Sequence, residues 1–486
     1  MNTTLITFVA LYLLGTLALG MWAGTRVKNT SDFAVAGRSL PLVMVITTTF
    51  ATWFGAETVM GIPAKFVQGG LNAVIEDPFG AGMCLILVGM FFAAKLYKLN
   101  LLTIGDYYRQ RYGKGIEIFC SVAIIFSYLG WVAAQITALG LVFSVLTGGA
   151  MAPATGMIVG TLTVLVYVVV GGFLAVAVTD FIQMIVLVVG MSVIAWFAAD
   201  LAGGADNVLA MAQGADLWRL WPEPSFTDIM FFIGAAVTMM FGSIPQQDVF
   251  QRVMSAKDAP TARTGAVIGG ASYILFAFVP MFIVAAAVVV MGSQAMELAQ
   301  NDYQRLLPTF VMTKMPLVMQ ILFFGALLSA IKSTSSATLL APSTSFVENI
   351  LKNFKPGMSD RQQLLAMRVT IVVFAALVLT YAIAMEGTSI YELVSGAYQV
   401  PLVGAFIPLV MGLYWKRATT QGAMLSIAAG LITWILFMEG VTGWGEHFPG
   451  QLAGLIAAFA GMVLGSLAPQ VVANSSVAHP AASAKA

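Results

Sequence analysis

Charged side chains are scarce in this sequence. Asp, Glu, Lys and Arg together make up 9% of its 486 residues, whereas hydrophobic residues make up 59%. Soluble globular domains carry about 25% charged residues, so this composition, with a mean hydropathy of +0.90, excludes a water-soluble domain. The formal net charge of +1 also provides no basic surface, and no nucleic-acid partner is expected.

Cysteine and histidine are scarce too, with two of each. Cys84 and Cys120 lie within apolar runs, which is typical of buried thiols rather than of a disulfide. His447 and His479 lie apart, so the sequence contains no metal-ligand cluster. No nucleophile, base and orienting group occur together, and we therefore expect neither an enzyme nor a bound cofactor.

Long apolar runs are abundant by contrast. Runs of about 18 or more residues can cross a bilayer as helices, so they predict an all-α polytopic membrane protein. The thirteen candidate spans are residues 3–24, 42–66, 72–97, 117–146, 153–171, 173–200, 228–254, 264–292, 317–342, 364–385, 389–414, 419–440 and 450–472. The first run is followed by Arg26 and Lys28, which reverses the charge order of a secretory signal, so we expect it to be retained.

Lys and Arg residues are distributed unevenly between alternate loops. Eighteen of them, Arg252 included, fall in one set of loops, and only three fall in the other. Because basic loops are retained in the cytoplasm, we predict a multi-pass protein of the cytoplasmic membrane with its amino terminus outside and its carboxyl terminus inside. Residues 1–472 form the predicted transmembrane domain, and residues 473–486 a disordered cytoplasmic tail.

Eight ionisable residues stand out at membrane depth, where a charge costs at least about 2.5 kcal/mol on insertion scales. They are Glu57, Lys65, Glu76, Asp77, Asp180, Asp248, Lys332 and Glu392. Lys65, Asp248 and Glu392 lie near the ends of spans, and we expect them to reach the membrane interface. Glu57, Asp180 and Lys332 lie deeper, which favours a functional role.

Two spans contain residues that break helices. The second contains Gly55, Gly61 and Pro63 around Glu57, and the seventh contains Gly242 and Pro245. Interrupted helices at corresponding places in two halves of a chain indicate a transporter site, because unwound backbone exposes amides and carbonyls at the midplane. The alternative is a simple proline kink filled by a neighbouring helix.

Four motifs then resemble one known family. They are Ser31-Asp32-Phe33-Ala34-Val35-Ala36-Gly37-Arg38-Ser39-Leu40-Pro41, Gly171-Gly172-Phe173 followed by Thr179-Asp180-Phe181-Ile182-Gln183, Phe250-Gln251-Arg252, and Tyr414-Trp415-Lys416-Arg417-Ala418 followed by Gly422-Ala423. In this order they resemble signatures of the sodium:solute symporters, over residues 3–472. The resemblance implies a leucine-transporter-type fold, with a five-plus-five inverted repeat at about 42–200 and 228–414, one helix before it and two after. It also implies alternating access to a midplane site.

Parts of the sequence resemble the choline-transporter branch of that family. These parts are Ala51-Thr52-Trp53, Trp131-Val132-Ala133-Ala134 and the Ile244-Pro245 turn. Relatives in that branch have an aromatic residue where this chain has Gln246. An aromatic cage for a quaternary ammonium group is therefore expected to be incomplete.

The resemblance also implies a sodium site, since a desolvated hard cation requires oxygen ligands. Ala51 and Phe54 match the carbonyl donors of the second span. In the ninth span, Ala326 matches a carbonyl donor and Ser329 a hydroxyl donor. The next position is usually Ser or Thr, but here it is Ala330, so one ligand is expected to be missing.

Lys332 lies on the same helical face as Ser329 by the i, i+3 rule. We hypothesise that its ammonium, paired with Asp180, acts as a tethered cation in this site. An ammonium about 4 Å from sodium would oppose sodium binding by roughly 4 kcal/mol at an effective dielectric near 20. Transport would then be sodium-independent or proton-coupled. In the alternative, Lys332 reaches the cytoplasmic interface and leaves a weakened sodium site.

The predicted function is that of a secondary active transporter that imports a small polar organic solute, with Na⁺ or H⁺ as the coupling ion. A transporter-like solute sensor is the less favoured alternative. The candidate solute-binding residues are Trp53, Glu57, Thr58, Asp77, Trp131, Gln135 and Gln246. Their excess of acid over base favours an amine or zwitterion. The expected partners are the solute and membrane lipid, with no obligate protein partner.

Overall fold

The computed structural model describes residues 3–438 and 441–473, and these residues are almost entirely helical. Within the described ranges the only β-type pairing is an isolated bridge between Leu40 and Ala256. The predicted all-α membrane fold is therefore confirmed. The predicted tail lies outside the described residues, except for position 473.

Fourteen helices form the main bundle. In chain order they are α1 (Thr3–Gly24), α2 (Leu42–Trp53), α3 (Glu57–Gly69), α4 (Asn72–Lys98), α5 (Lys114–Leu146), α6 (Pro153–Leu201), α7 (Phe226–Gly242), α8 (Gln247–Ser255), α9 (Ala259–Met291), α10 (Leu317–Phe354), α11 (Asp360–Ala384), α12 (Ile390–Tyr414), α13 (Thr420–Leu436) and α14 (Gly450–Leu467). Shorter helices in the connections include Thr30–Val35, Ile104–Tyr112, Ala205–Gly214, Ser293–Asn301 and Leu306–Lys314.

The number of membrane spans depends on how bent helices are counted. In the described chain, nine helices are long and apolar enough to cross a membrane, or eleven if each bent pair is one span. The 49-residue α6 contains two predicted spans, and the 17-residue α13 is shorter than a typical span. The count of thirteen therefore stays a prediction.

Helix α6 changes direction at Gly172, where the backbone adopts φ 51° and ψ −149°. A Cβ atom at this position would lie 2.6 Å from the carbonyl oxygen of Phe33. Glycine is the residue that tolerates both the positive φ and this close approach. The turn thus explains why two predicted spans meet at this residue.

Both predicted breaks are present. Helices α2 and α3 meet at an angle of 57°, and α7 and α8 at 47°. Phe54 leaves the helical region at φ −87° and ψ 71°, next to Gly55, which has a low helix propensity. Pro245 lies in the second break and cannot donate a backbone hydrogen bond. Each break leaves backbone groups free inside the bundle.

Helix α10 lies at the centre of the bundle although it is rich in Ser and Thr. Every residue from Ala326 to Ser345 is buried. Many of the hydroxyl groups donate to carbonyls one turn earlier on the same helix, as Ser335 does to Ile331 at 2.6 Å and Thr338 to Thr334 at 2.7 Å. This local pairing lets a polar helix cross an apolar interior.

Hydrogen bonds join loops that belong to the same predicted set. In the basic set, Arg38 donates to the Leu101 carbonyl at 2.7 Å, and Arg111 donates to the Ala418 carbonyl at 2.7 Å. In the other set, the Leu71 amide donates to the Leu217 carbonyl at 2.8 Å. The contacts thus group the loops into two sets, whereas the side of the membrane on which each set lies stays a prediction.

Candidate functional site

Glu57 begins helix α3 at the first break and is buried, with 2% of its surface exposed. Its Oε1 accepts a hydrogen bond from Trp131 Nε1 at 2.9 Å, and its Oε2 accepts one from Gln135 Nε2 at 2.6 Å. The two donors lie one turn apart on α5, so they face the same direction. Gln135 Oε1 in turn accepts from the Ala56 amide at 2.9 Å, which fixes the unwound backbone.

Aromatic rings line the same region. The rings of Trp53 and Trp131 lie 5.6 Å apart, and Tyr398 of α12 lies 6.0 Å from the first and 5.5 Å from the second. Tyr128 stacks on Trp131 at 6.1 Å. Sequence reasoning did not find Tyr398 or Tyr128, because nothing in their local sequence distinguishes them from ordinary buried tyrosines.

Two further acidic residues of this region, Glu76 and Asp77, lie near the start of α4. Tyr273 of α9 donates its hydroxyl to Asp77 Oδ1 at 2.5 Å and lies 3.0 Å from the Thr58 hydroxyl. Glu76 Oε2 accepts from the Ser395 hydroxyl at 2.7 Å. Tyr273 was also missed from the sequence, although it connects two predicted site residues.

Gln246 lies in the second break, where its Nε2 donates to the Ser127 hydroxyl at 2.8 Å. Ser127 lies one turn before Trp131 on α5, so the two breaks face the same helix. The structure thus brings the predicted solute-binding residues together along one side of α5. All seven side chains are buried, so the region is closed to solvent in this conformation.

Several buried polar atoms in this region have no hydrogen-bond partner within the described chain. They are Trp53 Nε1, Glu76 Oε1, Asp77 Oδ2, Ser243 Oγ, Gln246 Oε1 and Tyr398 Oη. Leaving a buried donor or acceptor unpaired costs about 1–3 kcal/mol. Six such atoms around two broken helices are typical of a site that is completed by a polar ligand.

A second polar centre lies at the end of α2. Asp180 of α6 accepts from the Thr48 hydroxyl and from the Ser333 hydroxyl, both at 2.6 Å. The Thr334 hydroxyl donates to the Thr52 carbonyl at 2.8 Å. Ser333 and Thr334 therefore point from α10 toward the break, where the sequence analysis expected Ser329 to point.

The predicted residues Ala326, Ser329 and Lys332 instead face other helices. Ser329 donates to the Gly325 carbonyl at 2.7 Å and forms a hydrogen bond with Tyr12 of α1. A Cβ at Gly190 of α6 would lie 3.1 Å from the Ala326 Cβ. Residues three apart do share a helical face, as expected, but that face is directed toward α1 and α6.

Lys332 is fully buried, so the alternative that it reaches the interface is wrong. Its Nζ donates to the Thr16 hydroxyl of α1 at 2.6 Å and lies 5.3 Å from the centre of the Tyr167 ring. Among the described residues no ion pair joins Lys332 to Asp180. The part of the chain that the structure describes therefore does not contain the expected pair, since Asp180 accepts from hydroxyl groups of α2 and α10 instead.

A second register of α10 also matches the family pattern that the resemblance implied. The family pattern has two neighbouring hydroxyl residues in the ninth span, and Ser333-Thr334 supplies such a pair, whereas Ser329-Ala330 does not. Matching the pattern four residues later removes the apparent loss of a ligand at Ala330. It also leaves Lys332 outside the ligand set.

Helix α8 carries two charged residues that the sequence analysis placed incorrectly. All nine residues of α8 are buried, so Arg252 does not lie in a loop and Asp248 does not reach the interface. Asp248 Oδ1 accepts from the Tyr128 hydroxyl at 2.5 Å. Arg252 donates to the Thr52 hydroxyl and to the Asp248 carbonyl, the latter at 2.7 Å.

Lys65 and Glu392 behave as expected for residues at the ends of spans. They form an ion pair at 3.2 Å, with 26% and 59% of their side chains exposed. Surface ion pairs of this kind contribute little to stability. Their exposure agrees with the predicted interfacial position, which stays a prediction.

The broken helices and the closed polar site define an α-helical secondary transporter with a five-plus-five inverted repeat. A similar fold occurs in a solved structure described as the substrate-bound outward-open state of a Na⁺-coupled sialic acid symporter. It superposes with a TM-score of 0.83 at 21% identity, covering 95% of this chain and 97% of that one.

The family model for the sodium:solute symporter family matches residues 33–430. This chain therefore belongs to the sodium:solute symporter family. It is 26% identical to the high-affinity choline transporter 1 of Caenorhabditis elegans, over 86% of this chain and 74% of that protein. It is also 25% identical to the sodium/sialic acid symporter NanT of Aliivibrio fischeri, over 94% of this chain and 92% of that protein. The family resemblance noted in the sequence is thus confirmed, and the chain is a transporter rather than an enzyme.

Proposed function

We propose that this protein imports a small organic cation together with sodium. The observation that carries the proposal is the charge of the buried region around the two breaks. It contains five carboxyl groups, those of Glu57, Glu76, Asp77, Asp180 and Asp248. Among the described residues, the buried basic side chains are those of Arg252 and Lys332. A cationic solute and a sodium ion would offset this excess of acid.

The solute would bind between the two breaks. The Trp53, Trp131 and Tyr398 rings offer faces for a cation, while Glu76 and Asp77 each have a carboxyl oxygen without a partner in the described chain. Gln246 also has an unpartnered Oε1, which can accept a hydrogen bond. These groups favour an amine that also carries hydrogen-bond donors, and choline, the solute in the names of relatives, is the first compound to test.

Sodium would bind at the second polar centre. The hydroxyl groups of Ser333 and Thr334 lie opposite the end of α2, where Ala51 and Phe54 have carbonyls next to the break. Ala330, one turn before Ser333 and Thr334, would add a third carbonyl. Together with the Asp180 carboxylate, these are the oxygen donors that a hard cation requires. The ligand set thus replaces Ala326 and Ser329 but keeps Ala51, Phe54 and Asp180.

Alternating access would then open the closed site to one side at a time, with repeats at about 42–200 and 228–414 moving relative to each other. Because the basic loops are predicted to be cytoplasmic, import runs toward the side on which they lie. A proton gradient is the second candidate driving force. It is favoured by Lys332, an ionisable group buried within a span, because such groups mark proton or ion pathways in many transporters.

A thermal-shift screen of the purified protein tests the solute class. The panel contains choline, other amines, sugars and carboxylates, each in sodium chloride and in potassium chloride. A ligand at 100 times its dissociation constant stabilises a protein by about 2.7 kcal/mol. We expect an amine to raise the melting temperature more in sodium than in potassium. Stabilisation by sugars or carboxylates but by no amine would contradict the proposal.

A further inference from the structure

Arg252 lies inside the protein beside the second polar centre. Only 2% of its surface is exposed. Its guanidinium group donates to the hydroxyl of Thr52 and approaches the Thr48 carbonyl at 3.5 Å. Both of these residues belong to α2 and border the break, so a cation from α8 is fixed against the helix that would supply sodium ligands.

Asp180 contacts Thr48, one of the same two residues. Thr48 accepts from Arg252 through its carbonyl and donates through its hydroxyl to Asp180. Thr52 accepts from Arg252 through its hydroxyl, while its carbonyl accepts from Thr334. Arg252 and Asp180 thus both contact Thr48 of α2, which brings their opposite charges close together. Asp248 lies one turn before Arg252 on α8.

A symporter must also reorient after sodium has left, and at that stage Asp180 would lack the cation that binds beside it. A buried carboxylate that is stabilised only by two hydroxyl groups is costly in a membrane interior. Arg252 supplies a permanent positive charge at this position, because a guanidinium group stays protonated even when buried.

We propose that Arg252 is a built-in counter-cation, which balances Asp180 in the sodium-free carrier and so permits the empty carrier to reorient. This inference rests on the proposed sodium coupling. It gives to Arg252 the tethered-cation role that the sequence suggested for Lys332. Lys332 does not fit this role, because its ammonium lies against Thr16 and Tyr167 on the side of α10 that faces α1.

Sodium affinity of the purified protein is the first test, and it needs no solute. Melting temperature is measured against sodium chloride, with potassium chloride keeping the ionic strength constant, for wild type, Arg252→Gln and Arg252→Lys. Removing a nearby positive charge should tighten sodium binding by about tenfold in Arg252→Gln. Arg252→Lys keeps the charge and should stay near wild type. A purely structural Arg252 would give weaker sodium binding in both variants.

Transport in proteoliposomes is the second test, with the amine that the thermal-shift screen identifies as the radiolabelled probe. Net uptake requires return of the empty carrier, whereas exchange of internal for external solute in saturating sodium does not. We expect Arg252→Gln to lose most net uptake but to keep exchange, and Arg252→Lys to keep both. Arg368→Gln is the matched control, since Arg368 lies over the Phe33 ring as Arg252 lies over the Phe173 ring, but its hydrogen bond is to the Val170 carbonyl rather than to α2.

The outcomes separate the two proposals. A wild-type protein that shows no effect of sodium would contradict the proposed sodium coupling. Sodium binding by wild type that becomes weaker in Arg252→Gln would overturn the counter-cation role alone, as would an equal loss of exchange and net uptake. If Arg252→Gln does not fold, the result for Arg252→Lys tests the proposal. A structural role that requires the shape of the guanidinium group predicts that Arg252→Lys loses both net uptake and exchange.

Discussion

At the scale of single residues, the two polar centres differ in how their carboxyl groups are held. Glu57 accepts hydrogen bonds from Trp131 and Gln135 with its two oxygens, so both donors are used and the acid is fixed. Asp180 accepts from two hydroxyl groups, which can rotate toward another acceptor when a cation arrives. The first arrangement shapes a solute site, and the second can exchange its hydrogen bonds for an ion.

Replacement of Glu57 by Gln tests the solute site. The new amide keeps one oxygen acceptor but places its NH2 group against the donor of either Trp131 or Gln135, so we expect the half-saturating solute concentration to rise by at least about tenfold. Folding should be largely retained, because neutralising a buried acid is not in itself destabilising. Glu392→Gln is the control, since 59% of the Glu392 side chain is exposed. If the uptake kinetics of Glu57→Gln equal those of wild type, Glu57 has only a structural role.

Substitutions in α10 test the revised sodium site. We expect Ser333→Ala and Thr334→Ala each to raise the half-saturating sodium concentration by about tenfold, because each loses an oxygen ligand. Ser329→Ala should change it less than about twofold, since Ser329 bonds to Tyr12 and Gly325. The measurement is uptake as a function of sodium. A larger effect in Ser329→Ala than in the other two variants would indicate Ser329, rather than Ser333 and Thr334, as a sodium ligand.

The residue types of the site could be predicted from the sequence, but the direction in which α10 points Ser329 and Lys332 could not. Trp53, Glu57 and Asp77 stand out because polar or charged residues are costly within a span. The direction of Ser329 and Lys332 depends on which helices surround α10, and the sequence of α10 alone does not contain that information. Tyr398 and Tyr273 were missed for the same reason, since tyrosine is common in buried helices.

At the scale of helices, local chemistry determined what could be predicted. The breaks between α2 and α3 and between α7 and α8 follow from Gly and Pro within apolar runs, and the structure contains both. The burial of α8 could not be derived in this way. Its polar residues resemble those of a loop, and only the packing of neighbouring helices around them brings Arg252 and Asp248 into the interior.

Replacement of Gly172 by Ala tests whether the turn within α6 requires glycine. An alanine there would be strained by the positive φ, which costs roughly 1–2 kcal/mol, and its Cβ would lie 2.6 Å from the Phe33 carbonyl. We expect Gly172→Ala to lower the melting temperature and the yield of folded protein. The matched control is Gly396→Ala in α12, where a Cβ would meet nothing within 4 Å. Equal melting temperatures for both variants would show that the turn does not require glycine.

At the scale of the whole molecule, the hydrogen bonds between loops agree with the predicted alternation of basic loops. The grouping is a property of the fold, whereas the orientation in the membrane depends on the positive-inside rule. The removal of Arg252 from the basic loops leaves the asymmetry large. The predicted direction of import rests on this orientation.

Reporter fusions test the orientation. A reporter that is active only in the cytoplasm, placed after residue 472, should be active. The same reporter inserted near Trp218, an exposed residue in the other set of loops, should be silent. A second reporter that is active only outside should give the reverse pattern. Activity of the cytoplasmic reporter at both positions would contradict the predicted topology.

The central claim, sodium-coupled import of an organic cation, is tested most directly by uptake into proteoliposomes. Uptake of the amine identified by the thermal-shift screen is compared under an inward sodium gradient, an inward proton gradient and no gradient. We expect the sodium gradient to drive accumulation above equilibrium, and the proton gradient to give no more uptake than the absence of a gradient. Accumulation that is driven by protons alone, or uptake that is identical under all three conditions, would contradict the claim.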